Sequence, residues 1–162
     1  MVPFITRQQI KKHVMNLAKQ IEADYEGLPL VLICPLKGSV FFLADLMRYI
    51  TLPLEIDFVH LVFRGSTQIV KDITTNIDGK HVLIVEEIID SGRKLNFLKR
   101  RLMTSGPKSV KIVTLIDKPA RREIQLNPDY VGITVEDRFL IGYGLDSEEV
   151  GRNYPDIYIL NN

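Results

Sequence analysis

Apolar residues in this chain recur with two different periods. Ile10, Val14, Leu17 and Ile21 follow helical spacing and predict one buried face of an amphipathic helix. Thr6-Arg7-Gln8-Gln9 opens it with a capping-box pattern, Thr6 as N-cap and Gln9 as third helical residue, and the helix should stop before Gly27. Residues 30–34 form a short unbroken apolar run, the pattern of a buried strand. Residues 41–50 read as a helix, and residues 54–63 as a strand with imperfect alternation. Residues 82–85 repeat the buried-strand pattern, residues 94–104 continue as a helix ending near Gly106-Pro107, and residues 110–116 form another buried-strand candidate. Strand signals return at 130–135, 140–143 and 157–160.

Strands alternating with helices imply an α/β fold, a mostly parallel twisted sheet flanked by helices on both faces. No repeat, low-complexity tract or linker interrupts the pattern, so residues 1–162 are expected to form a single domain. Residues 64–78 are polar, contain Gly65 and lack a firm period. A connection of that length in a compact domain is usually functional or partly disordered, and a mobile loop is the expectation.

Composition narrows the function classes. The chain is 46% hydrophobic and 25% charged, ordinary values for a soluble globular protein large enough to need no disulfide or structural metal. Its 21 basic and 20 acidic side chains leave a net charge of +1, which makes no overall electrostatic case for nucleic acid. Lys99-Arg100-Arg101 is a local basic run whose simplest reading is a solvated helix face. Cys34, the single cysteine, lies in an apolar run and is expected to be a buried structural thiol rather than a nucleophile. The apolar stretches are too short to span a bilayer, and the N-terminus lacks a basic segment followed by a long apolar one. No membrane association and a reduced, cytoplasmic location are the expectations.

Chemistry concentrates in residues 81–95. Four apolar residues run into Glu86 and Glu87, two isoleucines follow, and Asp90-Ser91-Gly92-Arg93 opens a helix. In an α/β sheet the ligand crevice lies beyond the carboxyl ends of the strands. Backbone N–H groups of such a turn, together with the helix dipole, attract phosphate. The carboxylates can accept hydrogen bonds from sugar hydroxyls or hold a hard cation such as Mg²⁺. Taken alone, an acidic pair at a strand end is most often just solvated. Pro35-Leu36-Lys37-Gly38-Ser39 leaves the first strand and should face the same crevice; by itself it reads as a tight turn with a solvated lysine.

The string of residues 82–92 closely resembles the 5-phosphoribosyl-1-diphosphate (PRPP) signature of type I phosphoribosyltransferases: hydrophobic strand, two acids, two aliphatics, then Asp-Ser/Thr-Gly. Within that superfamily the chain is most similar to the hypoxanthine-guanine phosphoribosyltransferases. The resemblance implies that Lys37 and Gly38 contact pyrophosphate, that the Leu36–Lys37 peptide is cis, and that Arg152 also contacts pyrophosphate. It implies that Asp90, Ser91, Gly92, Arg93 and Lys94 hold the 5-phosphate, and that Glu86 and Glu87 position the ribose. Lys118, in Leu115-Ile116-Asp117-Lys118-Pro119, matches the lysine that donates to the six-position oxygen of a purine. The segment from Asp137 to Asp146 resembles the purine pocket, with Phe139 stacking on the base and Leu140 lining it. Asp146 is implied at that pocket and, with Glu86 and Glu87, in the Mg²⁺ site. Asp90 is the best candidate for a general base at purine N7.

Three positions depart from the family pattern. Glu87 stands where aspartate is usual, Lys94 where a hydroxyl residue is usual, and Val62-Phe63-Arg64-Gly65 where the family's mobile loop carries Ser-Tyr. Lysine can neutralise a phosphate only as a point charge. The resemblance therefore implies a Mg²⁺-dependent purine-salvage enzyme making IMP or GMP and pyrophosphate from PRPP and a 6-oxopurine base. It also implies a homodimer or homotetramer. Two alternatives stand beside it: a catalytically weak homologue that binds a nucleotide and regulates, and a xanthine-preferring transferase. Retention of Asp90, Lys37, Lys118 and Asp146 counts against the first.

Overall fold

Thr6 caps the first helix as its sequence suggests: its side chain accepts from the Gln9 N–H, and the Gln9 side chain accepts from the Thr6 N–H at 2.8 Å. Helix α1 (Arg7–Tyr25) buries Ile10, Val14, Leu17 and Ile21 along one stripe. This computed structural model describes residues 2–161. After α1 come β1 (Leu30–Pro35), α2 (Ser39–Arg48), β2 (Leu54–Phe63), β3 (Thr67–Lys71), β4 (His81–Ile89), α3 (Arg93–Met103), β5 (Ser109–Asp117), β6 (Tyr130–Thr134), β7 (Leu140–Ile141) and β8 (Tyr158–Ile159).

Six strands form one sheet in the order β3-β2-β1-β4-β5-β6, all parallel except the edge strand β3. Every residue of β1 is buried, because α1 and α2 pack on one face of the sheet and α3 on the other. Each such Leu, Ile or Val contributes roughly 1.5–3 kcal/mol by leaving water. Strand order reverses between β1 and β4: the chain leaves β1 toward β2 and later returns to β4 on the other side. The ends of those two strands therefore flank the crevice where α/β sheets bind ligands. A separate small sheet pairs β7 with β8, and Ile157 bridges to Ile5.

Two segments differ from the expectation. Strand β4 continues through Glu86 and Glu87 to Ile89, in parallel register with β5 as far as Ile89 opposite Asp117. The acidic pair therefore lies inside the strand rather than after it. Residues 64–78 are not simply a loop, since they contain β3, which returns antiparallel to β2 around Gly65 at φ 73°. No residue of β3 is fully buried, so it carries little of the apolar alternation that marks a strand in sequence. The segment after β3 is fastened at its base. Asp57 Oδ2 accepts from the N–H groups of Thr74 (2.6 Å) and Thr75 (2.9 Å), and Arg101 bonds Asp72 at 2.7 Å.

Candidate active site

Beyond β4 the chain turns through Asp90, Ser91 and Gly92 into α3. Gly92 has φ 81°, which favours glycine, and a Cβ there would press on the Arg122 side chain at 3.1 Å. Ser91 Oγ accepts from the Arg93 N–H at 3.3 Å. No acidic residue occupies the first turn of α3, which leaves its N-terminal dipole available to an anion. The turn and the end of β4 line a cleft of ≈ 160 Å³ that brings together Glu86, Glu87, Asp90, Ser91, Gly92 and Lys94. Arg93 points elsewhere, pairing with Glu123.

Glu86 is buried and Glu87 half-buried, with the fully buried Ser39 hydroxyl between them. Ser39 Oγ contacts both carboxyls and also accepts from the Glu87 N–H at 3.2 Å. A hydroxyl donates only once, so Ser39 cannot satisfy both carboxylates at the same time. Burial pushes the Glu86 carboxyl well above the usual range; the adjacent Glu87 adds to this, while Ser39 and Lys94 oppose it. Burial, with these two glutamates, also pushes the Cys34 thiol up, making it the inert structural cysteine its apolar run suggests. Sequence reasoning missed Ser39, which reads as an ordinary turn residue at the start of α2.

The loop after β1 forms the next wall. Its Leu36–Lys37 peptide is cis. Lys37 Nζ lies 2.6 Å from Glu149 Oε2. Arg152 reaches Asp146 (3.0 Å), Glu149 (3.2 Å) and the Gly144 carbonyl (2.8 Å), while its buried Nε has no partner among the described residues. Gly38 is wedged between Glu87 and Gly144: a Cβ at 38 would overlap the Glu87 carboxylate and the Gly144 carbonyl. A Cβ at Gly144, which has φ 93°, would overlap the Gly38 carbonyl. This double close approach joins the Lys37 loop to the Asp146–Arg152 segment.

On the far side, Lys118 follows β5. Its buried Nζ donates to the Arg138 carbonyl at 2.5 Å and lies 3.6 Å from Asp90 Oδ1. Phe139 beside it is 49% exposed, available for stacking, and Leu140 is buried at the start of β7. Arg122 was not anticipated either. It bonds Asp117 at 2.6 Å and the Asp90 carbonyl at 2.8 Å, and in sequence it is only one of two adjacent arginines.

The structure thus gathers Glu86, Glu87 and the Asp90–Lys94 turn in one cleft, sets Lys118 against Asp90, and groups Lys37, Asp146 and Arg152 around Glu149. Glu86, Glu87 and Asp146 do not converge: no group of three or more His, Cys, Asp or Glu side chains among the described residues could hold a metal. The paired glutamates offer hard oxygen donors, and a small hard cation typically takes one or two protein carboxylates, completing its shell with substrate oxygens and water.

Residues 5–148 match the phosphoribosyl transferase domain family. The hypoxanthine-guanine phosphoribosyltransferase of Bacillus subtilis is 39% identical, the match covering 96% of this chain and 91% of that protein. The corresponding Aquifex aeolicus protein is 38% identical, covering 96% and 92%. A crystal structure of a Bacillus anthracis hypoxanthine-guanine phosphoribosyltransferase, with HEPES in its active site, superposes with TM-score 0.97 at 42% identity over 99% of each chain. The chain also matches, at 40% identity, the bifunctional TilS/HprT protein of Listeria innocua, of whose length it spans 25%. On the span of the domain match and the near-complete coverage of the Bacillus and Aquifex relatives, this chain belongs to the phosphoribosyltransferase family.

Proposed function

We propose that this protein transfers the 5-phosphoribosyl group of PRPP to hypoxanthine or guanine, giving IMP or GMP and pyrophosphate, as a cytoplasmic purine-salvage enzyme. The observation that carries the reading is the 3.6 Å approach of Lys118 Nζ to Asp90 Oδ1 at the edge of the phosphate turn. It sets a donor suited to a purine carbonyl beside a carboxylate able to take a proton, next to a place for the sugar phosphate. The relatives named above as hypoxanthine-guanine phosphoribosyltransferases support the same substrate pair.

In this mechanism the turn from Asp90 to Lys94 binds the 5-phosphate through its N–H groups and the α3 dipole. Glu86 and Glu87 orient the ribose hydroxyls. Lys118 donates to the six-position oxygen, Phe139 stacks on the base, and Leu140 lines the pocket. Asp90 accepts a proton at N7 as N9 attacks the anomeric carbon and the bond to pyrophosphate breaks. Lys37 and Arg152 neutralise the leaving pyrophosphate, exchanging their contacts with Glu149 and Asp146 for phosphoryl oxygens. Glu86 and Glu87, with substrate oxygens and water completing the shell, would hold Mg²⁺, which when bound would supply positive charge to the departing group. Residues 64–78 close over the site and exclude water, whose attack would hydrolyse PRPP. The active form is a homodimer or homotetramer, which sedimentation would establish.

Incubating the protein with PRPP, Mg²⁺ and each of hypoxanthine, guanine, xanthine and adenine, and measuring nucleotide and pyrophosphate, tests the reading. Turnover with hypoxanthine or guanine is expected. PRPP binding without turnover of any base would replace the enzyme by a nucleotide-binding regulator.

A further inference from the structure

Just past the paired ends of β4 and β5 the chain divides. One branch enters the phosphate turn at Asp90, the other reaches Lys118. Arg122 sits in the fork. Its Nη2 bonds Asp117 Oδ1 at 2.6 Å, its Nη1 donates to the Asp90 carbonyl at 2.8 Å and reaches the Ile89 carbonyl at 3.5 Å, and its Nε donates to the Leu126 carbonyl at 2.9 Å. Both partners of the ion pair are largely buried, with side chains 13% and 11% exposed. The ladder itself ends here, where the Lys118 N–H donates to the Ile89 carbonyl at 3.0 Å. The Arg122 stem also lies where a Cβ on Gly92 would press against it.

We propose that Arg122 and Asp117 are a positioning pair that fixes the base-reading Lys118 relative to Asp90 and the phosphate turn. Asp117 immediately precedes Lys118, and Arg122 grips the carbonyl of Asp90 itself. One planar guanidinium therefore sets the separation of the two groups that must meet neighbouring atoms, the six-position oxygen and N7, on one edge of the same purine. Lysine cannot substitute, because a single ammonium lacks the fork that addresses a carboxylate and several carbonyls from one plane. A fold-only role would make the pair matter equally for every base. A positioning role makes it matter most for the bases that Lys118 recognises. The inference rests on the roles proposed above for Lys118 and Asp90.

The test compares Arg122→Lys and Asp117→Asn with the unmodified protein, using circular dichroism to work below each melting point. kcat and KM are measured for hypoxanthine and adenine at saturating PRPP, and KM for PRPP separately. Arg122→Lys should lower kcat/KM for hypoxanthine by roughly 10²-fold, the scale of a misplacement of about 1 Å. The adenine value should change little, so the preference for the 6-oxopurine narrows, and the PRPP KM should rise. Asp117→Asn keeps an acceptor oxygen for Arg122 and should fold even if Arg122→Lys does not. It should narrow the preference in the same direction by a smaller factor. An unchanged hypoxanthine-to-adenine ratio in folded variants would overturn the positioning role while leaving the proposed function intact. Failure of the unmodified protein to use hypoxanthine or guanine would instead remove the reading on which the role rests.

Discussion

Glu149 holds one carboxylate oxygen 2.6 Å from Lys37 Nζ and the other 3.2 Å from Arg152 Nη2. Its carboxyl is held below the usual range by the Lys37 contact first and by Arg152 as well. It thus occupies the two cations assigned to pyrophosphate, and a ligand that needs them must displace it. Glu149→Gln should therefore tighten binding of pyrophosphate and lower the KM for PRPP by roughly two- to fivefold, the scale of an exposed ion pair. Glu148→Gln removes the same charge one residue away and serves as the control. Equal effects of the two substitutions, measured by calorimetry with pyrophosphate, would mean general repulsion rather than displacement.

Asp90 tests the chemical step. Asp90→Asn preserves shape and the Arg122 contact to its carbonyl while removing the proton acceptor. It should lower kcat by roughly 10²–10⁴ with a smaller change in PRPP binding. Wild-type turnover in this variant would remove Asp90 from the role of base.

Ser39→Ala tests the link between the paired glutamates. With the hydroxyl gone, the buried Glu86 carboxyl loses its partner, at a cost of about 1–3 kcal/mol. A lower melting temperature and a raised KM for PRPP should appear together. A change in stability with no change in PRPP use would confine Ser39 to the fold.

Asp57 gives the pH dependence. Its burial alone would raise the carboxyl, but the N–H groups of Thr75, Phe58 and Thr74, with Lys71, outweigh that and bring it from 3.8 to about 2. A depressed pKa stabilises the folded state above the unfolded value, and the contribution is lost as pH falls through the folded one. It is therefore present above about pH 4 and fades toward pH 2. Asp57→Asn should cost about 2 kcal/mol at pH 7, measured by urea unfolding, with the difference from wild type shrinking as pH drops from 5 to 3. Because Asp57 fastens Thr74 and Thr75, hydrogen exchange in residues 72–78 should rise in the same variant.

How much was legible in the sequence depended on whether a residue's role is local. The capping box at Thr6 and the buried runs of β1, β4 and β5 are set by neighbours along the chain and showed in its periodicity. The phosphate turn stood out for the same reason, as an acid, a hydroxyl and a glycine in adjacent positions. Strand β3 was hidden because an exposed edge strand needs no alternation. Ser39 and Arg122 were hidden because their partners, Glu86 at one and Asp90 at the other, lie 47 and 32 residues away along the chain. The convergence of Glu86, Glu87 and Asp146 was implied by the family resemblance alone, and a motif match does not measure distance.

Gly38 and Gly144 place a limit on how this protein can change. Each fills the space a side chain on the other would need, and neither has any smaller replacement. A substitution at one position cannot be relieved by trimming the other, so suppressors must come from shifts of the backbone. Segments exchanged with a homologue should accordingly travel as a matched pair, the Lys37 loop together with the Gly144 turn. Libraries that randomise one of the two glycines should return almost only glycine there.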